Sequence, residues 1–225
     1  MPKTLAITGA STGIGAETAR AAVAEGWNVV LGARSVDKLE ALVAELGSSA
    51  VAVTCDVQKL EDCTRLAETA TVRFGSLDAL FANAGLGATV PGVEDGDPEN
   101  WTEMAMTNLV GLAQTLKAGL GAIKAARGHV VITGSVAGRR TLKGSFYGAT
   151  KWAANAYGYN LREALAGTGC RVTVLEPGMV DTPFFDEPKP GALKAEDIAR
   201  SVMFVLEQPP HVEIHELLIL PCRTD

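Results

Sequence analysis

The residues with the clearest chemistry are Tyr147 and Lys151, in the run Ser145-Phe146-Tyr147-Gly148-Ala149-Thr150-Lys151. They stand four apart at the start of a stretch with helical patterning, so a helix puts both on one face about one turn apart. A phenol ordinarily titrates near ~10 and is a poor base at neutral pH. A neighbouring ammonium stabilises the phenolate, so Tyr147 is expected to have a lowered pKa and to serve as a general acid or base. The plain alternative is an aromatic ring packed on a lysine stem. Ser135 lies twelve residues before Tyr147, in Val131-Ile132-Thr133-Gly134-Ser135-Val136-Ala137-Gly138. It follows an apolar run that reads as a strand, which places its hydroxyl at the strand's carboxyl end. There it can hydrogen-bond a substrate oxygen and share developing charge with Tyr147. Taken alone, it reads as a turn serine bonded to neighbouring backbone.

A second set lies near the amino terminus, in Thr8-Gly9-Ala10-Ser11-Thr12-Gly13-Ile14-Gly15. A glycine loop between a strand and a helix lets backbone N–H groups approach a pyrophosphate, and the helix terminus adds favourable charge. A tight turn that binds nothing is the alternative. No Gly-Lys-Ser/Thr follows, which argues against a Walker-type loop. Some 20 residues past such a loop, a dinucleotide site presents an acid to a ribose 2′-hydroxyl or an arginine to a 2′-phosphate. Here that position holds Arg34, followed by Ser35, and no Asp or Glu lies between Trp27 and Val36. A guanidinium suits a 2′-phosphate, so the spacing points to NADP, with NAD left open by Asp37 two residues further on.

These groups need a scaffold. Short apolar runs at 5–8, 27–33, 50–54, 78–81, 129–133, 171–175 and 217–220 read as seven strands. Between them, 13–25, 36–46, 58–74, 100–126, 146–167 and 195–206 read as six helices, with Leu39, Leu42, Val43 and Leu46 illustrating the helical spacing. Near-continuous apolar strands alternating with helices imply an α/β fold: a doubly wound parallel seven-stranded sheet with helices on both faces. The irregular stretches 86–99 and 180–193 follow strands and fall at the carboxyl edge, where such sheets bind ligands. No repeat or linker divides the chain, so residues 1–225 are expected to form a single domain.

Composition narrows the function. Hydrophobic residues make up 47% and charged residues 20%, a globular balance. The formal net charge of −6 disfavours nucleic acid, whose affinity comes largely from phosphate neutralisation. No apolar run reaches the ~18 residues of a membrane span, and the first one stops at Gly9, too early for a secretory signal. Cys55, Cys63, Cys170 and Cys222, separated by 7, 106 and 51 residues, match no zinc or disulfide framework and read as reduced thiols in the cytoplasm. His129, His211 and His215 offer no convincing metal set, since Pro209-Pro210 breaks any helix carrying the last two.

Taken together, these motifs resemble the short-chain dehydrogenase/reductase family over nearly the whole chain. Thr8 to Gly15 resembles its T-G-x-x-x-G-I-G loop. Asp56-Val57 is similar to the D-V pair whose aspartate contacts adenine. Asn83-Ala84-Gly85 is similar to its N-A-G turn, with Ala82 in place of a more usual asparagine. Asn108, Ser135, Tyr147 and Lys151 match the family's catalytic set, and Pro177-Gly178-Met179-Val180-Asp181-Thr182 its P-G-x-V-x-T segment. The resemblance implies that Tyr147 exchanges a proton with the carbonyl or alcohol oxygen while Ser135 orients it. Lys151 would bind the nicotinamide ribose, and Asn108 would hold a water linking Lys151 to solvent. The cofactor-binding set it implies is Gly9, Ser11, Thr12, Gly13, Ile14, Gly15, Arg34, Ser35, Asp56, Val57, Asn83, Ala84, Gly85, Tyr147, Lys151, Pro177, Gly178, Val180 and Thr182. Ile14 N–H would meet the pyrophosphate, and Val180 and Thr182 the carboxamide.

The substrate side is less defined. A short segment after the P-G motif carries Phe184 and Phe185, either pocket walls or hydrophobic pins. Arg139 and Arg140 are expected to face solvent, with a contact to a substrate carboxylate as the alternative. Similarity in the tail, around Gln208-Pro209-Pro210-His211-Val212, suggests a small 3-hydroxy acid or amino-acid alcohol, alongside ketones and aldehydes. The two long helices carry small and apolar residues on several faces, which fits a homodimer or homotetramer. The expected function is hydride transfer between NADP(H) and a small alcohol or carbonyl compound. A non-catalytic NADP-binding sensor and an NAD-dependent dehydrogenase are the alternatives.

Overall fold

The computed structural model describes residues 2–222. Seven strands form one parallel sheet: β1 (Thr4–Thr8), β2 (Asn28–Ala33), β3 (Ala50–Thr54), β4 (Ala79–Ala82), β5 (His129–Thr133), β6 (Arg171–Pro177) and β9 (Glu216–Ile219). Their order across the sheet is β3-β2-β1-β4-β5-β6-β9. The chain winds outward from β1 to β3, returns to β4 beside β1, and continues to the other edge. This is the doubly wound topology expected, with its switch point between β1 and β4. Two short strands, β7 (Val180–Asp181) and β8 (Leu193–Lys194), pair in parallel outside the main sheet. They give the stretch expected to be irregular a closed base, which strand-length apolar patterning could not reveal in two-residue elements.

Alternation along the strands makes two cores. In β1, Leu5 and Ile7 point to one face with Val29 and Leu31 of β2, beneath α1 (Gly13–Ala24) and α7 (Ala195–Leu206). Ala6 and Val30 point to the other, toward Leu66 of α3 (Leu60–Phe74), Leu116 of α5 (Leu112–Ala126) and Leu161 of α6 (Phe146–Ala164). Helix α2 (Val36–Leu46) inserts Leu39 and Leu42 into the first core. Each fully buried aliphatic side chain stabilises the fold by roughly 1.5–3 kcal/mol.

The long helix expected over 100–126 is interrupted. It starts as α4 (Pro98–Ala105), capped by the Asp97 carboxylate accepting from Glu99 N–H, passes through a π-helical stretch Met106–Gly111, and resumes as α5. A widened turn of this kind is frequent at functional sites, and Asn108 lies inside it. Helix α6 begins one residue ahead of Tyr147 because the Ser145 hydroxyl caps it, accepting from Gly148 N–H at 2.9 Å. It ends at Ala164, short of the expected 167, and Gly167 follows in a left-handed turn with φ +77°.

Candidate active site

The carboxyl ends of β1, β2, β4, β5 and β6 border a cleft of about 360 Å³. Its floor near β1 is the glycine loop. Gly9 and Gly13 have φ of +66° and +55°, conformations that side chains rarely adopt. A Cβ on Gly15 would lie 2.3 Å from the Gly9 carbonyl oxygen, so helix α1 approaches the loop this closely only with glycine there. A cradle of bare backbone at a helix N-terminus suits a pyrophosphate.

All but two of the residues expected at the site line this cleft: Gly15 and Asn108 do not. Gly15 is buried behind the loop, which it shapes. Arg34 and Ser35 stand at the end of β2. The Arg34 side chain is 66% exposed, with its guanidinium 3.7 Å from the Glu103 carboxylate of α4. Asp56 and Val57 follow β3, Asp56 Oδ1 accepting from Gln58 N–H at 3.1 Å. At the far end Gly178 N–H donates to Ile219 O at 2.7 Å, tying the turn after β6 to β9. Thr182 rests against Gly13, 3.2 Å from where a Cβ there would sit.

Asn83 holds the strand ends together. Its backbone N–H donates to Thr8 Oγ1 at 3.0 Å, its Nδ2 donates to Thr8 O and Gly9 O, and its Oδ1 accepts from Thr133 Oγ1 at 3.0 Å. The side chain thus binds β1, the turn after β4, and β5 into one edge.

Tyr147, Lys151 and Ser135 meet in the same cleft. Lys151 is buried. Its Nζ donates to Thr133 O at 2.9 Å and lies 5.9 Å from the centre of the Tyr147 ring. Burial lowers its pKa to about 8. Ser135 is buried, its Oγ accepting from Ala137 N–H at 3.0 Å, and it lines the cleft with Tyr147.

The expected depression of the Tyr147 pKa does not hold in this structure. Burial pushes the phenol above its ordinary value, and the nearby Ser135 hydroxyl opposes this only in part. Desolvation disfavours phenolate and ammonium alike, and the Lys151 ammonium is directed at a backbone carbonyl. Tyr147 is therefore a protonated phenol at neutral pH.

Asn108 is buried in the π-helical stretch. Its Oδ1 accepts from Leu86 N–H at 2.9 Å, and its Nδ2 donates to Leu86 O at 2.9 Å and Thr150 Oγ1 at 3.1 Å. Both amide protons are engaged, and the side chain fastens the loop after β4 to α6. Gly85 fits between it and Lys151: a Cβ there would lie 3.2 Å from Asn108 Oδ1 and 3.7 Å from Lys151 Nζ.

Arg139 is exposed, as expected, and is also ion-paired. Its Nε donates to the buried Glu176 carboxylate and its Nη2 to Glu216, so it is not available to a substrate carboxylate. Arg140 is exposed, as expected. Phe184 and Phe185 both line the cleft, Phe184 with its ring centre 5.9 Å from that of Tyr147 and 5.2 Å from that of Phe185. The close approach of the Phe184 ring requires glycine at 87, where a Cβ would lie 2.7 Å from it. Functional positions missed in the sequence include Thr8, Thr133, Thr150 and Leu86. Each acts through a backbone carbonyl, a backbone N–H or a small hydroxyl, and the local sequence carries no signal for such contacts.

A model of the short chain dehydrogenase family matches residues 3–191. A serine 3-dehydrogenase of Agrobacterium fabrum is 36% identical over 98% of this chain and 94% of its own length. A protein of Staphylococcus saprophyticus, named only as an oxidoreductase, is 35% identical over 97% of both chains. The crystal structure of an alcohol dehydrogenase from the archaeon Thermococcus sibiricus, complexed with 5-hydroxy-NADP, is 35% identical, covers all of both chains and superposes with a TM-score of 0.90. The glycine loop, the serine, tyrosine and lysine at one cleft, and these likenesses lead to one conclusion: the chain belongs to the short-chain dehydrogenase family.

Proposed function

We propose that the chain is an NADP(H)-dependent oxidoreductase that interconverts a small alcohol and its carbonyl compound, one domain carrying both the cofactor and the reacting groups. The observation that carries this reading is the convergence of Ser135, Tyr147 and Lys151 on the cleft that also holds the glycine loop and Arg34. The residues present fit NADP. The loop offers bare backbone, and Arg34 is a largely exposed cation at the end of β2. The likeness to an alcohol dehydrogenase complexed with 5-hydroxy-NADP supports the choice of cofactor.

When bound, NADP(H) supplies or accepts the hydride. The rest is done by the chain. Ile14 N–H meets the pyrophosphate, Arg34 and Ser35 the 2′-phosphate, Asp56 the adenine, and Val180 and Thr182 the carboxamide. Lys151 holds the nicotinamide ribose. In the reducing direction Tyr147 gives its phenolic proton to the substrate oxygen, and the Ser135 hydroxyl donates a hydrogen bond to the same oxygen as charge develops. A phenol kept protonated by burial is in the correct state for that step. In the oxidising direction Tyr147 must first be ionised, and a nearby Lys151 ammonium then stabilises the phenolate. Asn108 positions Leu86 and Thr150 around this pair.

The substrate meets Phe184 and Phe185. A small 3-hydroxy acid or amino-acid alcohol is the favoured class, supported by the serine 3-dehydrogenase likeness. The enzyme works in the cytoplasm as a homodimer or homotetramer associated through α4, α5 and α6. The test is absorbance of the reduced nicotinamide on mixing purified chain with NADP⁺ and L-serine or 3-hydroxy acids, and with NADPH and ketones or aldehydes. Turnover on at least one compound is expected. NADPH binding with no turnover on any of them would instead favour a sensor.

A further inference from the structure

Asn155 follows Lys151 by one turn of α6, as Lys151 follows Tyr147, so the three share a face. Asn155 is buried and does not line the cleft. Its Nδ2 donates to Glu176 Oε1 at 2.7 Å and, more weakly, to the backbone carbonyl of Ser135 at 3.5 Å. Glu176 is the residue before Pro177-Gly178 and has no exposed surface. Its carboxylate takes three donors: Asn155, Arg139 Nε, and the Tyr159 hydroxyl at 3.4 Å. Through Arg139 the network extends to Glu216 on β9.

The backbone is shaped around Asn155. A Cβ on Gly134 would lie 2.1 Å from Asn155 Oδ1, and one on Gly138 would lie 2.6 Å from Nδ2. Asn155 Oδ1 itself is buried without a hydrogen-bond partner. A buried charge and a half-satisfied amide are poor ways to stabilise a fold, and apolar residues of similar volume would often do better. What the network does is join three pieces that each end at the cleft: the Ser135 loop, the helix of Tyr147 and Lys151, and the Pro177-Gly178 turn.

We infer that Asn155 and Glu176 are positioning residues that hold the Pro177-Gly178 turn against the Ser135 loop and so set the affinity for the nicotinamide half of the cofactor. Neither touches the ligand. The inference rests on the proposed seat of the nicotinamide between Lys151 and Pro177-Thr182.

The test uses calorimetric titration of the full chain with NADPH and with 2′-phospho-ADP-ribose, which lacks the nicotinamide. Asn155→Ala and Glu176→Gln are each expected to raise the NADPH Kd by about fivefold or more, while the Kd for 2′-phospho-ADP-ribose stays within about twofold. Lys151→Ala serves as the reference and should also weaken NADPH selectively. If it does not, the seat of the nicotinamide is wrong. If it does, but the Asn155 and Glu176 variants bind NADPH like the parent, this inference alone fails. Equal weakening of both ligands, with a lower Tm, also overturns it, because the network then serves only the fold. Should a variant not fold, Asn155→Ser and Glu176→Asp replace it under the same criteria.

Discussion

Lys151 Nζ lies 2.9 Å from the Thr133 carbonyl oxygen, the last residue of β5, and 5.9 Å from the centre of the Tyr147 ring. The helix supplies the one-turn spacing, but the strand end aims the ammonium. This arrangement accounts for a lysine that is buried, has a pKa near 8 and still stands beside the phenol.

Tyr147→Phe removes the only group proposed to move a proton to substrate and leaves the ring that packs on Phe184. Turnover is expected to fall by about 10²–10⁴-fold, with the NADPH Kd unchanged. Steady-state rates together with a binding titration check this, and a variant turning over at near-parent rates removes Tyr147 from the mechanism.

Lys151 makes cofactor binding depend on pH. Its pKa is lowered to about 8, so the ammonium predominates below that value and is lost above it. NADPH affinity should therefore fall as pH rises through about 8, and Lys151→Met should lose this dependence. Titrations on either side of that pH decide the matter, and a flat parent profile would count against the proposed role.

Arg34→Ala should erase preference for NADPH over NADH. A charge-assisted hydrogen bond contributes roughly 1.5–3 kcal/mol, so the ratio of kcat/KM values should drop about ten- to a hundredfold. The neighbouring Glu103 carboxylate makes Glu103→Gln a useful counterpart, expected to shift the ratio the other way. An unchanged ratio in Arg34→Ala would mean that this arginine does not read the 2′-phosphate.

His129 links stability to pH. It is buried at the start of β5, with Nε2 2.8 Å from Thr173 Oγ1, and burial, helped by Arg171, lowers its pKa to about 3. Between about pH 3 and 6.5 the unfolded chain therefore binds a proton that the folded chain does not. Stability from this group is complete above 6.5 and declines as pH falls, by an amount on the order of a few kcal/mol. Denaturation at about pH 5 and 7 should show a smaller difference for His129→Leu than for the parent. Equal differences would place the proton uptake elsewhere.

Much of the molecule was legible from local pattern. Apolar runs of strand length alternating with helical spacings implied a parallel doubly wound sheet, because near-continuous apolar strands call for helices on both faces. The glycines at 9, 13 and 15 announced a backbone approach, and the four-residue interval of Tyr147 and Lys151 needed only a helix to place them together. The sequence could not disclose what depends on distant partners. The Asn108 side chain is held by Leu86 and Thr150, 22 and 42 residues away. Arg139 is exposed, as its type suggested, but only the fold sets it beside Glu176 and Glu216. The shift of Tyr147 reversed because burial is a property of the packed molecule, whereas spacing supplies only a neighbour. Residue type and interval determine which groups can meet along one element, while depth from water and contacts between elements are decided only when the chain closes on itself.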